Sequence, residues 1–130
     1  MANQTSKTSD PNFILLYVND AAASAKFYTE LLGRPPAQIS PLFAAFPLAS
    51  GVTLGLWTRS DVQPKVSGAG DRGEICFPAA DAAAVNAVHV DWSKRGLPIA
   101  QQPTAMGFGH TFVALDPDGH RLRVFAQAQA

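Results

Sequence analysis

Cysteine is almost missing from this chain. Cys76 is the only one in 130 residues, so no internal disulfide and no cysteine-ligated zinc site can form. Charge is scarce too: 15% of residues are charged, ten basic against ten acidic, for a formal net charge of zero. Soluble domains usually carry about 25%. This sparse, balanced charge excludes the basic stripe that grips a phosphate backbone and the polybasic patch that holds an anionic membrane. Neither nucleic acid nor a membrane is therefore expected as a partner. No apolar run nears the roughly 20 residues of a membrane span. The polar residues 1–10 contain no apolar signal-peptide core. A reducing, cytoplasmic location is the expectation.

What remains is apolar. Hydrophobic types reach 47%, and alanine alone holds 22 positions. That composition excludes disorder for most of the chain, and the length suffices for one domain with its own core. A surface so poor in charge is expected to be partly covered by a second copy, as in a homodimer.

The chain reads as one unit written twice. Phe13 to Asp20 is a β-favouring apolar run ending on an aspartate suited to cap a helix. An Ala-rich segment follows, from Ala21 to Leu32, in which Ala25, Tyr28 and Leu32 share one helical face. Gly33 then stops it, and Pro35-Pro36 forbids continuation. Glu74 to Asp81 repeats the pattern 61 residues later: a short strand, an aspartate, then a helix carrying Val85, Val88 and Trp92. Gly96 and Pro98 close this second helix as Gly33 and Pro35 close the first.

Three β-like segments follow each helix. They are 37–39, 42–47 and 52–58 in the first half, and 99–102, 110–115 and 122–126 in the second. Asp116-Pro-Asp-Gly119 marks a tight turn between the last two. Residues 1–10 and 127–130 are expected to be tails around a single domain spanning 11–126. Within it, module one covers 11–60, a Gly/Ser/Pro-rich linker 61–73 and module two 74–126. The fold class is α+β, two tandem βαβββ modules. A four-stranded sheet with a single helix leaves one face bare, so modules must pair, within or between chains.

Paired βαβββ modules resemble the vicinal-oxygen-chelate superfamily of glyoxalases, bleomycin resistance proteins and extradiol dioxygenases. The resemblance runs from Pro11 to Phe125. It rests on Asp20, Ser24 and Phe27-Tyr28, together with Asp116-Pro-Asp-Gly-His120 before the last strand. It implies a dimer whose ligand cleft is built from paired modules. Metal-dependent members place a ligand seven residues before each capping aspartate and another seven residues after the first Asp of the turn. Here those positions hold Phe13, Glu74 and Arg123. Leu56 and Trp57 offer no further ligand. One carboxylate beside a permanent cation is no divalent-metal site, so neither metal nor cofactor is expected. His89, His110 and His120 lie elsewhere, and structural roles are expected of them.

Strand alternation from the same positions sends Phe13, Leu15 and Tyr17 to the cleft, with Ile14, Leu16 and Val18 against a helix. It sends Glu74 and Cys76 to the cleft and makes a Glu74–Arg123 ion pair possible. Trp57 shares a face with Gly55, whose missing side chain is expected to leave space beside the indole. Phe46, Met106 and Phe108 are expected to complete the walls, with Gly107 and Gly109 making an adaptable loop around Phe108. Cys76 is expected to be a buried, inert thiol, and Trp92 to be core.

An aromatic slot with one cation suits a planar ligand, with or without a carboxylate, held by stacking. The sequence leaves open whether Arg123 pairs with Glu74 or takes a ligand carboxylate bidentately. Ala45-Phe46-Pro47, the strand carrying Trp57, and Thr111-Phe112 resemble the metal-free phenazine-type antibiotic resistance proteins. That likeness implies binding of a planar aromatic small molecule without turnover. The competing readings are a divergent glyoxalase-like lyase or isomerase using Glu74 as acid and base, and a scaffold without a ligand. No nucleophile dyad stands out, and the glycines of 68–73 precede no helix and form no phosphate loop.

Overall fold

Each helix starts where the sequence places an aspartate. The computed structural model describes residues 12–63 and 74–128. The expected N-terminal tail, residues 64–73 of the expected linker and residues 129–130 lie outside the described residues. Module one runs β1 (Phe13–Val18), α1 (Ala21–Leu32), β2 (Gln38–Ile39), β3 (Phe43–Pro47) and β4 (Thr53–Thr58). Module two runs β5 (Glu74–Pro78), α2 (Ala82–Lys94), β6 (Ile99–Met106), β7 (Gly109–Leu115) and β8 (Arg121–Gln127). The sheet orders are β1-β4-β3-β2 and β5-β8-β7-β6. In each, the first and last strands pair in parallel and the others antiparallel. The fold is therefore α+β, two βαβββ modules, and the chain divides into compact units of residues 1–67 and 68–130.

The caps work as their residue types require. Asp20 accepts from the backbone N–H groups of Ala22 and Ala23 at 3.0 and 3.4 Å. The Thr58 hydroxyl on β4 accepts from Ala21 N at 3.0 Å, which ties the helix start to the sheet. Three of the four N–H groups that a helix start leaves unpaired are thereby satisfied. Asp81 accepts from Ala84 N at 2.8 Å. At the other ends, Gly33 takes φ +71° after α1 and Gly96 takes φ +86° after α2, where a Cβ would be strained. Leu97 N and Gly96 N donate back to Trp92 O and Ser93 O, closing α2 with a Schellman pair.

The register assigns the core. Ala44, Phe46, Leu54, Leu56 and Thr58 share one sheet face, and Tyr28, Ala21 and Ala25 of α1 are buried with them. In module two, Phe112, Ala114, Leu122 and Val124 share the face that meets α2. Trp92 packs edge-on against Phe77 and Phe112, with centroids 5.5 and 5.6 Å apart, and belongs to the core. His89 leans on Phe112 at 5.2 Å.

Several boundaries differ from the sequence expectation, most of them by one residue. β6 continues through Pro103 to Met106, because it is the edge strand and its pairing with β7 slips between Ile99 and Thr104. A bulged edge is where a strand tolerates proline. β8 runs to Gln127, since Gln127 still pairs with Gly109. Asp61 belongs to a short 3-10 turn, Arg59–Asp61, and the next residue, Val62, is 2% exposed, so module one extends beyond residue 60. Among the described residues no helix is long and apolar enough to cross a membrane.

Candidate functional site

Each sheet has one face turned away from its helix, and the two faces differ in chemistry. On module one the register aligns Leu15 with Gly55 and Tyr17 with Trp57, and on the other side Phe43 with Trp57 and Ala45 with Gly55. Phe13, Tyr17 and Trp57 are thus brought onto one face as expected. Phe13, Leu15 and Tyr17 remain 47%, 37% and 40% exposed there. The Trp57 indole N–H donates to Asp61 Oδ2 at 2.9 Å, which fixes the ring through the 3-10 turn.

Phe46 does not join them. It pairs with Leu54 on the opposite face and is fully buried, so it packs the core. Phe43, three residues earlier, is the β3 aromatic on the open face. Alternation along β3 finds it once the pairing with β4 is known, and that pairing is not a local property of the sequence. The space expected beside Gly55 is also filled. A Cβ there would lie 2.6 Å from Phe13 Cε1 and 2.9 Å from Leu15 Cδ1, so the phenyl ring rests against the glycine backbone. A strand glycine often marks such a close approach.

On module two, Cys76 aligns with Arg123 and Arg123 with Val113. Glu74 and Arg123 hold each other. Arg123 Nε donates to Glu74 Oε2 at 2.8 Å and Nη2 to Oε1 at 3.0 Å, a bidentate fork. Nη1 donates to Gln101 Oε1 and Thr111 Oγ1, both at 3.2 Å, and Thr111 in turn donates to Val124 O at 2.8 Å. Gln101 and Thr111 are partners the sequence reading missed, because the β6 bulge sets which residue faces Arg123. Phe108 stacks on the cation, its centroid 5.7 Å from Cζ. Met106 meets Gln101 Nε2 through its sulfur at 3.6 Å and is 42% exposed. It also lines an open pocket of ≈ 320 Å³ with Ala82, His110 and Gln127.

The electrostatics follow from this geometry. The Arg123 hydrogen bonds hold the Glu74 carboxyl below its ordinary 4.5, against the opposing pull of partial burial, with Arg121 adding to the lowering. Both carboxylate oxygens are engaged, so Glu74 is a poor general base. Glu74 in turn raises Arg123 above its ordinary value. The donor set does not fit a divalent metal. Phe13 has no ligand atom, and the one carboxylate is already neutralised by a guanidinium. Cys76 is exposed rather than buried, and desolvation and the Glu74 carboxylate push its thiol above 9.0 despite Arg123. That keeps it a thiol at neutral pH.

The hairpin carrying Phe108 is anchored rather than adaptable. Gly109 takes φ +145°, and a Cβ there would collide with the Ala126 carbonyl oxygen. Phe108 O accepts from Ala128 N at 2.9 Å. The three histidines lie off both open faces. His110 Nε2 meets Asn86 Oδ1 at 2.9 Å, and His120 Nδ1 meets Asp116 Oδ2 at 2.8 Å within the Asp-Pro-Asp-Gly turn. Asp116, Asp118 and His120 are close enough to share an ion, but they sit in that turn, where Asp116 accepts the N–H groups of Asp118 and His120.

The family model described as Glyoxalase/Bleomycin resistance protein/Dioxygenase superfamily matches residues 11–124. The chain belongs to that superfamily. Among superfamily relatives, the phenazine antibiotic resistance protein EhpR of Enterobacter agglomerans is 28% identical over 131 residues, spanning 95% of this chain and 97% of its own. The solution structure of protein ATC0852 from Agrobacterium tumefaciens superposes with a TM-score of 0.86 at 46% identity, over 94% of this chain and all of that one. A glyoxalase/bleomycin resistance protein/dioxygenase from Nocardioides matches the fold at a TM-score of 0.83 and 21% identity, over 97% of this chain and 88% of its own.

Proposed function

We propose that this superfamily member binds a planar aromatic small molecule and sequesters it, without a metal and without turnover, as an antibiotic-resistance protein does. The observation that carries the reading is the open face of module one. Phe13, Tyr17, Phe43 and Trp57 gather there around Gly55, and none of them is needed to fill the helix-side core. Flat rings of this kind offer stacking worth about 0.5–1.5 kcal/mol per pair beyond simple burial. Resistance to a phenazine in EhpR, a relative over nearly the full chain, supports the ligand class. The Glu74–Arg123 pair supports the absence of acid–base chemistry, since neither group is left poised to move a proton.

The working form in this reading is a cytoplasmic homodimer, in which a second copy covers part of the exposed Phe13, Leu15 and Tyr17 surface. Titration with phenazine and with acridine tests the binding. Saturable quenching of Trp57 fluorescence is expected. It should fall sharply in Trp57→Phe, where the buried Trp92 is the remaining fluorophore. No saturable response to either ring system, in quenching or in thermal shift, overturns the proposal.

A further inference from the structure

From the first sheet we infer that Phe13 sets the shape class of the ligand. Its ring levels the middle of the open face, so the protein takes flat, fully aromatic ring systems and excludes those with groups projecting out of their plane. The inference rests on the sequestration reading and goes beyond it, because aromatic surface alone does not tell a flat ring from one with a raised substituent. All the residues concerned belong to module one. Leu15, Gly55 and Ala45 form one row across the open face, between a row centred on Trp57 and a row centred on Thr53. Glycine and alanine at the centre of that row would by themselves leave a recess. Phe13, aligned with Thr53, reaches diagonally into it, as an aromatic side chain can. Its Cε1 and Cζ would lie 2.6 and 3.0 Å from a Cβ on Gly55, and Leu15 Cδ1 2.9 Å. The ring tip and one methyl group thus fill the recess. Gly55 and Ala45 are buried, while Phe13 stays 47% exposed and presents apolar surface to solvent.

A ligand with a raised methyl group has two ways to approach this surface. It can stand off the face, and a gap of roughly 0.5–1 Å already forfeits a quarter to a half of the dispersion attraction under the ring. Or it can push Phe13 off Gly55, which uncovers the glycine backbone and gives up that packing. The Trp57 indole, tied to Asp61 at 2.9 Å, is not free to follow the ligand outward. A flat ring meets neither cost.

Acridine and 9,9-dimethyl-9,10-dihydroacridine share a three-ring outline and are both uncharged in mildly alkaline buffer, but the second carries a methyl group on each side of its mean plane. Their dissociation constants, measured by calorimetry in the wild type, Phe13→Ala and Phe13→Ala/Gly55→Ala, decide the matter. The wild type is expected to favour acridine. Phe13→Ala is expected to shift the preference toward the dimethyl compound by about 4- to 10-fold, the lower figure being the transfer of one methyl group out of water. Adding Gly55→Ala returns a methyl group to the recess and is expected to remove most of that shift. Phe13→Val, which deletes the same ring atoms and keeps a strand-favouring side chain, serves as the second variant, and a thermal melt of each sample reports that it is folded. An unchanged preference in Phe13→Ala, a shift that Gly55→Ala leaves in place, a wild type that favours the dimethyl compound, or loss of both ligands in folded Phe13→Ala overturns the inference and leaves sequestration standing. If neither compound binds any of the proteins, the sequestration reading falls and the inference with it.

Discussion

The two modules solve the same folding problem identically on one face and part company on the other. Their strand orders correspond, both helices start on an aspartate, and both cores are built on the helix side of a four-stranded sheet. The open face of module one is aromatic and aliphatic. That of module two carries Glu74, Cys76, Arg123, Gln101 and Thr111 in a hydrogen-bonded cluster. The helix side thus meets the demands of stability, and the open side is where chemistry can diverge without disturbing it.

The largest effect should come from crossing between these faces within one strand. Phe46→Ala empties a fully buried site and is expected to cost about 3–5 kcal/mol in chemical denaturation. Phe43→Ala, three residues away on the open face, should cost only about 1 kcal/mol while weakening phenazine binding. Comparable losses of stability in the two variants would break the division of labour. The caps give the next test. Asp20→Ala and Asp81→Ala should each cost about 0.5–2 kcal/mol, with the larger loss at Asp20, which holds two N–H groups rather than one.

The smallest effect concerns acid. Glu74 titrates below its ordinary 4.5 in the folded protein, so its contribution is complete above that value. It is lost as the pH falls through the lower folded value. Because the pair borders solvent, the loss should be under about 1 kcal/mol. Stability measured from pH 6 to pH 3 should therefore fall slightly less in Glu74→Gln than in the wild type. An equal or steeper fall in the variant would remove the pair from the account.

Features set by neighbouring residues were legible before the structure. Asp20, Asp81, Gly33, Gly96 and the Asp-Pro-Asp-Gly turn act within a few residues of themselves, and their elements stand where those signals put them. Alternation also put Phe13, Tyr17, Glu74 and Arg123 on the open faces of their own sheets, because the two positional patterns that anchor it lie in β1, β5 and β8. The wall position expected of Phe46 was not met, since the facing of β3 is decided by its pairing with β4. The space expected at Gly55 is absent because the filling ring comes from a residue 42 positions earlier. The exposure of Cys76 and the partners of Arg123 likewise depend on strands brought together over long separations.

The parallel pairing of first and last strands has a consequence for the order in which the chain folds. Phe13 meets Thr53 across 40 residues, and Glu74 meets Arg121 across 47. Loop closure of that length is the slow, entropically opposed part of assembling each sheet. The hairpins β3–β4 and β7–β8 close over far shorter distances and can form first, offering the edges on which β1 and β5 dock. In a nascent chain, the strands of module one are all present while β8 has still to be made. Folding from the N-terminus is therefore expected to proceed one module at a time, each sheet closing when its first-made strand pairs with its last.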